Sequence, residues 1–180
     1  MKKLNKLHLG CGTKKINGFI NVDIRPELSP DLLESIDTLT SVENSSAELI
    51  YACHVLEHFG RFEYKKVLKR WFEVLSEGGV LRISVPDFEQ VVNYYNKTKD
   101  LTKLLGFLYG GQNYNENYHY CTFDFQTLKN TLIEIGFSSV KTYNWRETEH
   151  SDVDDFSQAY LPHMDKENGI LMSLNIEAIK

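Results

Sequence analysis

Three cysteines in 180 residues, at positions 11, 53 and 121, are too few and too scattered to staple the chain together. An odd, dispersed set is not a disulfide framework, and no Cys-x-x-Cys pair marks a structural zinc site, so no metal is expected. A reducing cytoplasm is the expected location. There are only four prolines, and neither a low-complexity linker nor an internal repeat interrupts the chain, so residues 1–180 read as one domain. Long apolar runs are missing too. None follows the basic residues at the N-terminus, so neither a signal peptide nor a membrane span is expected. An excess of positive charge is also lacking. Lys and Arg number 20 against 25 Asp and Glu, a formal net charge of -5, and that field does not favour nucleic acid or an anionic membrane as a partner.

What is present is an alternation of short apolar runs and helical patterns. Strands are expected at residues 6–9, 19–24, 32–36, 49–53, 80–85 and 140–145. Helices are expected at 63–75, 88–95, 101–109 and 125–135. The first of these repeats Tyr64, Val67, Leu68, Trp71, Phe72 and Leu75 at the i, i+3, i+4 spacing. Gly78-Gly79 reads as its left-handed stop. Pro86 ends the strand that follows, and Asp87 caps the next helix with Gln90 three residues on. Gly110-Gly111 and Gly136 end the later helices. Residues 146–168 form a long acidic loop. Met172, Leu174, Ile176 and Ala178 then alternate with polar residues, the period of an antiparallel strand with one wetter face. The expected class is therefore α/β, a Rossmann-like, mostly parallel twisted sheet with helices on both faces and a C-terminal antiparallel strand. On such sheets ligands bind at the carboxyl ends of the strands, where the strand order reverses.

Several segments fall at those ends. Gly10-Cys11-Gly12 follows the first strand, and glycines there let the backbone approach a ligand closely. Asp23 ends the second strand, where a carboxylate can accept hydrogen bonds from both hydroxyls of a ribose. The strand at 49–53 runs into Cys53-His54-Val55-Leu56-Glu57-His58. The 13–18 connection is too short for a crossover helix, although parallel strands usually need one.

Taken in order, Gly10-Cys11-Gly12, Asp23, the segment His54–His58 as far as its polar ends, and Leu75-Ser76-Glu77-Gly78-Gly79-Val80-Leu81 resemble class I S-adenosylmethionine (SAM)-dependent methyltransferases. The likeness is to the small bacterial group with the methyltransferase type 11 pattern. It covers the first half of the chain, and Leu132-Ile133-Glu134-Ile135-Gly136-Phe137 with the closing strand is similar to the family's end. The resemblance implies SAM as cofactor, held by His8, Gly10, Cys11, Gly12, Asp23, Ile24, Cys53 and His54, with Asp37 and Thr38 at the adenine. It implies a small polar acceptor, such as a sugar or a surface-polysaccharide precursor. The chain departs from the family in three places: His8 stands where an acid is usual, Thr13-Lys14 follows Gly12, and the first crossover helix is missing.

For a hydroxyl acceptor a proton must be removed, and a histidine suits that near neutral pH. His54 and His119 are the candidates. His119 lies in a loop of tyrosines and asparagines in which Gln112, Tyr114, Tyr118 and His119 are expected to bind the acceptor. Two other readings share the glycine turn. One is a non-catalytic SAM- or nucleotide-binding regulatory module. The other is an NAD-dependent oxidoreductase, which calls for a third glycine opening a full helix. Nothing in the sequence sets an oligomeric state.

Overall fold

The computed structural model describes residues 5–180; residues 1–4, with the N-terminal basic residues, lie outside the described part. One seven-stranded sheet organises it. Its strands are β1 (Asn5–Leu9), β2 (Ile20–Asp23), β3 (Leu32–Leu33), β4 (Ala47–Cys53), β5 (Leu75–Pro86), β6 (Ser139–Thr142) and β9 (Ser173–Ile179), and the order across it is β3-β2-β1-β4-β5-β9-β6. The first five strands pair in parallel, and β9 runs antiparallel between β5 and β6. The chain thus leaves β1 in one direction to β2 and β3, and continues on its other side through β4 and β5. That reversal places a switch point at the carboxyl ends of β1 and β4.

The main core lies on one face. Leu7 and Leu9 of β1, Ile50 and Ala52 of β4, Leu81 and Ile83 of β5 and Ile176 of β9 all project there. They meet α1 (Tyr64–Val74) and α4 (Phe125–Ile135). Trp71 of α1 is wholly buried and donates its indole N–H to the Ile36 carbonyl at 2.7 Å. Removing a fully buried aromatic side chain of this kind typically costs about 3–5 kcal/mol. The opposite face is more polar. Leu49 and Tyr51 pack there with Ile16 and Phe19, and Val153 of the long loop closes over them. The remaining helices, α2 (Phe88–Thr98) and α3 (Leu105–Tyr109), sit toward the carboxyl end, where Val91 packs with Leu104, Leu161 and Met172.

Caps account for several element ends. The Asp87 carboxylate accepts from the N–H groups of Glu89 and Gln90, and that of Asp124 accepts from Thr127. Other boundaries differ from those expected. Gly78-Gly79 does not stop α1. The helix ends at Val74 with Leu75 already extended, and Gly78, at φ +71°, sits in a bulge of β5 between the pairs Ala47–Leu75 and Leu49–Val80. The expected strand at 32–36 pairs only at Leu32 and Leu33, and that at 140–145 gives way to a 3-10 turn at Trp145–Glu147. The helix expected at 101–109 keeps only α3, one turn stopped by Gly110 at φ +77°. The acidic loop is structured: a 3-10 turn at Phe156–Gln158 precedes a hairpin of β7 (Tyr160–Leu161) and β8 (Ile170–Leu171).

No helix lies between β1 and β2, as the short connection requires. A side-chain amide takes its place. Asn21 Oδ1 accepts from the Ile16 N–H, while its Nδ2 donates to the carbonyls of Ile16 and Phe19 and to Asp31. The backbone polar groups that a helix satisfies internally are here tied to one buried residue.

Candidate active site

A cavity of about 990 Å³ opens at the switch point. Its floor is the first glycine turn. Gly10 and Gly12 have φ of +64° and +53°, values that favour glycine, and the Cys11 N–H between them donates to the Val22 carbonyl at 3.0 Å. A Cβ on Gly10 would overlap Val55 Cγ1, so part of the demand for glycine there comes from the β4 exit rather than from a ligand. The Gly12 N–H donates to Asp23 Oδ2 at 2.8 Å.

Asp23 lies beside this turn at the end of β2 and is almost wholly buried. Its Oδ1 accepts from the Arg25 N–H at 3.0 Å and from Arg25 Nε at 3.2 Å. Burial works against its ionisation, yet the bonds from Arg25 and Gly12 outweigh it and hold the carboxyl below its usual value. A carboxylate offers about four acceptor positions. With three taken, Asp23 has room for one further donor while Arg25 stays in place.

The rest of the wall comes from several segments. His8, Ile24, Cys53 and His54, the residues expected at the cofactor, line it together with the turn residues. Asp37 and Thr38 do not; Ser35 and Ile36, just before them, reach the cavity instead, and Asp37 accepts from the Ser35 hydroxyl. Of the residues expected at the acceptor, Tyr114 lines the cavity and its ring lies 4.9 Å from the Arg25 guanidinium. Gln112, Tyr118 and His119 are not on the wall, whereas Asn115, Glu116 and Tyr120 are.

The roof is the part that sequence reasoning missed. Asp154, Asp155, Phe156, Tyr160 and Met164 of the acidic loop close over the cavity. The loop is anchored to the sheet through the Tyr51 hydroxyl, which donates to Asp155 at 2.7 Å, and through Arg82, which pairs with Glu149. An acidic, irregular sequence gives no periodic signal of this docking. The one clue was a buried strand position, Tyr51, carrying a hydroxyl that needs a partner.

The two expected proton acceptors are placed differently from that expectation. His54 follows β4 at φ +51°. The Ser173 hydroxyl donates to Asn175 Oδ1, so it accepts from His54 Nε2, 3.1 Å away; His54 Nδ1 faces Glu57 Oε1 at 3.4 Å. Burial pushes the His54 pKa down to about 3. With Nε2 donating to Ser173, Nδ1 turned toward Glu57 and so low a basicity, the ring is poorly suited to take a proton at neutral pH. His119 stands behind the wall, its Nδ1 donating to the Phe107 carbonyl at 3.0 Å. His8 is also held neutral. Burial pushes its pKa down to about 4, and its ring stacks on Tyr51 at 5.2 Å.

No family model matches the sequence, and no curated protein matches it. Solved structures do. A SAM-dependent methyltransferase from Thermotoga maritima, described as a possible histamine N-methyltransferase, superposes over 100% of this chain and 84% of its own, with a TM-score of 0.60 at 14% identity. The 1,6-didemethyltoxoflavin-N1-methyltransferase of Burkholderia thailandensis, solved with S-adenosylhomocysteine, covers 99% of this chain and 72% of its own, with a TM-score of 0.61 at 15% identity. A SAM-dependent methyltransferase from Methanosarcina mazei covers 100% and 93%, with a TM-score of 0.59 at 20% identity. The chain therefore has the Rossmann-like fold of SAM-dependent methyltransferases.

Proposed function

We propose that this chain is a SAM-dependent methyltransferase acting on a small polar acceptor. The observation that carries the reading is the meeting of three features at one switch point: a glycine turn with two positive-φ residues, a buried carboxylate at the end of β2, and a roofed cavity. The residues suit the cofactor. The turn presents backbone without side chains, Asp23 keeps an acceptor position for a ribose hydroxyl, and a cavity of about 990 Å³ has room for cofactor and acceptor together. Ser35 and Ile36, on the cavity wall just before Asp37 and Thr38, are the residues this reading assigns to the adenine.

When bound, SAM supplies an electrophilic methyl group on a sulfonium. What this chain contributes is position. The acceptor has to lie about 3 Å from that carbon and in line, and holding it there supplies much of the rate. Tyr114, Asn115, Glu116 and Tyr120 on the cavity wall offer hydrogen bonds suited to a sugar-like or other polar acceptor. His54 serves as a fixed wall at the end of β4 rather than as a base. An NAD-dependent reading is disfavoured by the β1–β2 connection. With no helix there, the N-terminal N–H groups that hold a dinucleotide pyrophosphate are missing.

Calorimetric titration tests this reading. SAM and S-adenosylhomocysteine should bind with one site and NAD should give no heat; binding of NAD and not of SAM would sink it. Acceptor turnover separates an enzyme from a SAM-binding regulatory module.

A further inference from the structure

Behind the wall, Glu57 is completely buried, and neither of its carboxylate oxygens has a hydrogen-bond partner among the described residues. A buried carboxyl left that way is costly unless a proton or a cation meets it. Two ring nitrogens without protons face its Oε1: His54 Nδ1 at 3.4 Å, since His54 Nε2 donates to Ser173, and His119 Nε2. His119 donates through Nδ1 to the Phe107 carbonyl, so its Nε2 carries no proton, and that nitrogen lies 3.9 Å from Glu57 Oε1. A backbone carbonyl fixing the far nitrogen is the usual support of a metal-bound histidine. His58 has Nδ1 3.0 Å from the Tyr118 carbonyl oxygen and Nε2 3.1 Å from that of His54. Both oxygens only accept, so a neutral ring leaves one nitrogen without a donor.

One ligand atom each from Glu57, His58 and His119 lie within 4.8 Å of one another. Two distant segments are clamped together to achieve this. Glu57 and His58 belong to the turn after β4, and the Glu57 carbonyl accepts from the N–H groups of Tyr120 and Cys121 beside His119. We propose that Glu57, His58 and His119 bind a divalent metal ion of the zinc class, with its open position toward the cavity that His58 lines. Two imidazoles and a carboxylate are the donors such ions take when a fourth position is kept free. With metal–ligand bonds of about 2.0–2.2 Å, a tetrahedral ion holds its ligands roughly 3.4 Å apart, so binding draws the three side chains inward from a spread of 4.8 Å. The inference rests on this donor set and not on the methyl-transfer reading.

The test uses the full chain stripped with a chelator and dialysed. Zn²⁺ is titrated by calorimetry, and Co²⁺ by its visible d–d absorption. One saturable site is expected. His119→Ala and Glu57→Gln should each weaken it on the order of 100-fold or more, beyond the loss typical of a mere supporting residue, while His163→Ala, on the cavity wall outside the cluster, should bind like the wild type. Circular dichroism checks folding, and His119→Ala decides alone should Glu57→Gln not fold. Absence of a saturable site in the wild type, or equal binding by the wild type and His119→Ala, overturns the proposal. A SAM titration on the same samples reports separately on the cofactor reading.

Discussion

His8 Nδ1 lies 3.1 Å from Asn21 Oδ1, deep in the sheet, and this contact joins the first two strands behind the glycine turn. Asn21 has its amide N–H groups committed to the carbonyls of Ile16 and Phe19 and to Asp31, so its oxygen faces His8 as an acceptor and the proton sits on Nδ1. One residue thus fixes both a histidine tautomer and the helix-free β1–β2 crossover.

Asn21→Ala should therefore destabilise the chain by more than a surface change would. It strands the Ile16 N–H and two carbonyls in a buried place, at about 1–3 kcal/mol for a group left unsatisfied. Urea unfolding measures the loss; an unchanged midpoint would mean the loop is held by other contacts.

The histidines give a pH signature. Burial first, opposed by the bond to Asn21, sets the His8 pKa at about 4 against an ordinary 6.5. The folded form refuses a proton that the unfolded chain accepts, so this contribution is complete above pH 6.5 and is lost as pH falls toward 4. Its slope is at most about 1.4 kcal/mol per pH unit. His54, lowered to about 3, acts in the same direction. Glu57, raised by burial to about 8 from 4.5, acts oppositely: its contribution is present below pH 4.5 and is lost as pH rises to 8. Burial lowers the His58, His119 and His150 pKa values as well, so the histidines outweigh Glu57 and stability falls between pH 6.5 and 4.5. In His8→Gln that fall should be shallower by about one proton; equal slopes in the two proteins would contradict the assignment.

Asp23→Ala should lower SAM affinity roughly tenfold or more, since a charge-assisted bond to a ribose hydroxyl is worth about 1.5–3 kcal/mol. Asp23 also holds the Gly12 N–H and Arg25, so the melting temperature without ligand should fall as well. Calorimetry and thermal unfolding read the two effects apart.

At Gly10 the structure moves the reason for glycine. Gly10→Val drives a side chain into Val55 and forces a β-branched residue to φ +64°, so broad destabilisation should accompany any loss of SAM binding. Cys11→Ser keeps the backbone N–H bonded to Val22 and should remain close to the wild type in both measurements.

Tyr51→Phe removes the hydroxyl that anchors the roof at Asp155 while leaving the ring in the core. Faster amide exchange over residues 154–158 is expected, with little change in the exchange of β4. Uniform protection across the loop would show that other contacts suffice.

Much of the fold was legible because it rests on periodicity. Tyr64, Val67, Leu68 and Trp71 mark α1, and the alternation Leu174, Ile176, Ala178 marks β9, since each pattern buries one face. The glycine turn and Asp23 were legible because strand ends locate them. The bulge at Gly78 was not, because a positive φ suits both a helix stop and a kinked strand, and only pairing with β4 distinguishes them. That Ser35 and Ile36 rather than Asp37 and Thr38 reach the cavity was not legible either, because β3 pairs over just two residues and ends earlier than the apolar run suggested.

By itself, then, the sequence determined the alternation of strands and helices, the glycine turn and the acid that follows it, because these depend on neighbours a few residues apart. Tertiary structure alone decided that the acidic loop lines the cavity, that His54 sits between Ser173 and Glu57, and that Glu57, His58 and His119 converge. Those outcomes depend on segments as far apart as Tyr51 and Asp155, or Glu57 and His119. Desolvation and lone-pair direction arise only once such segments meet.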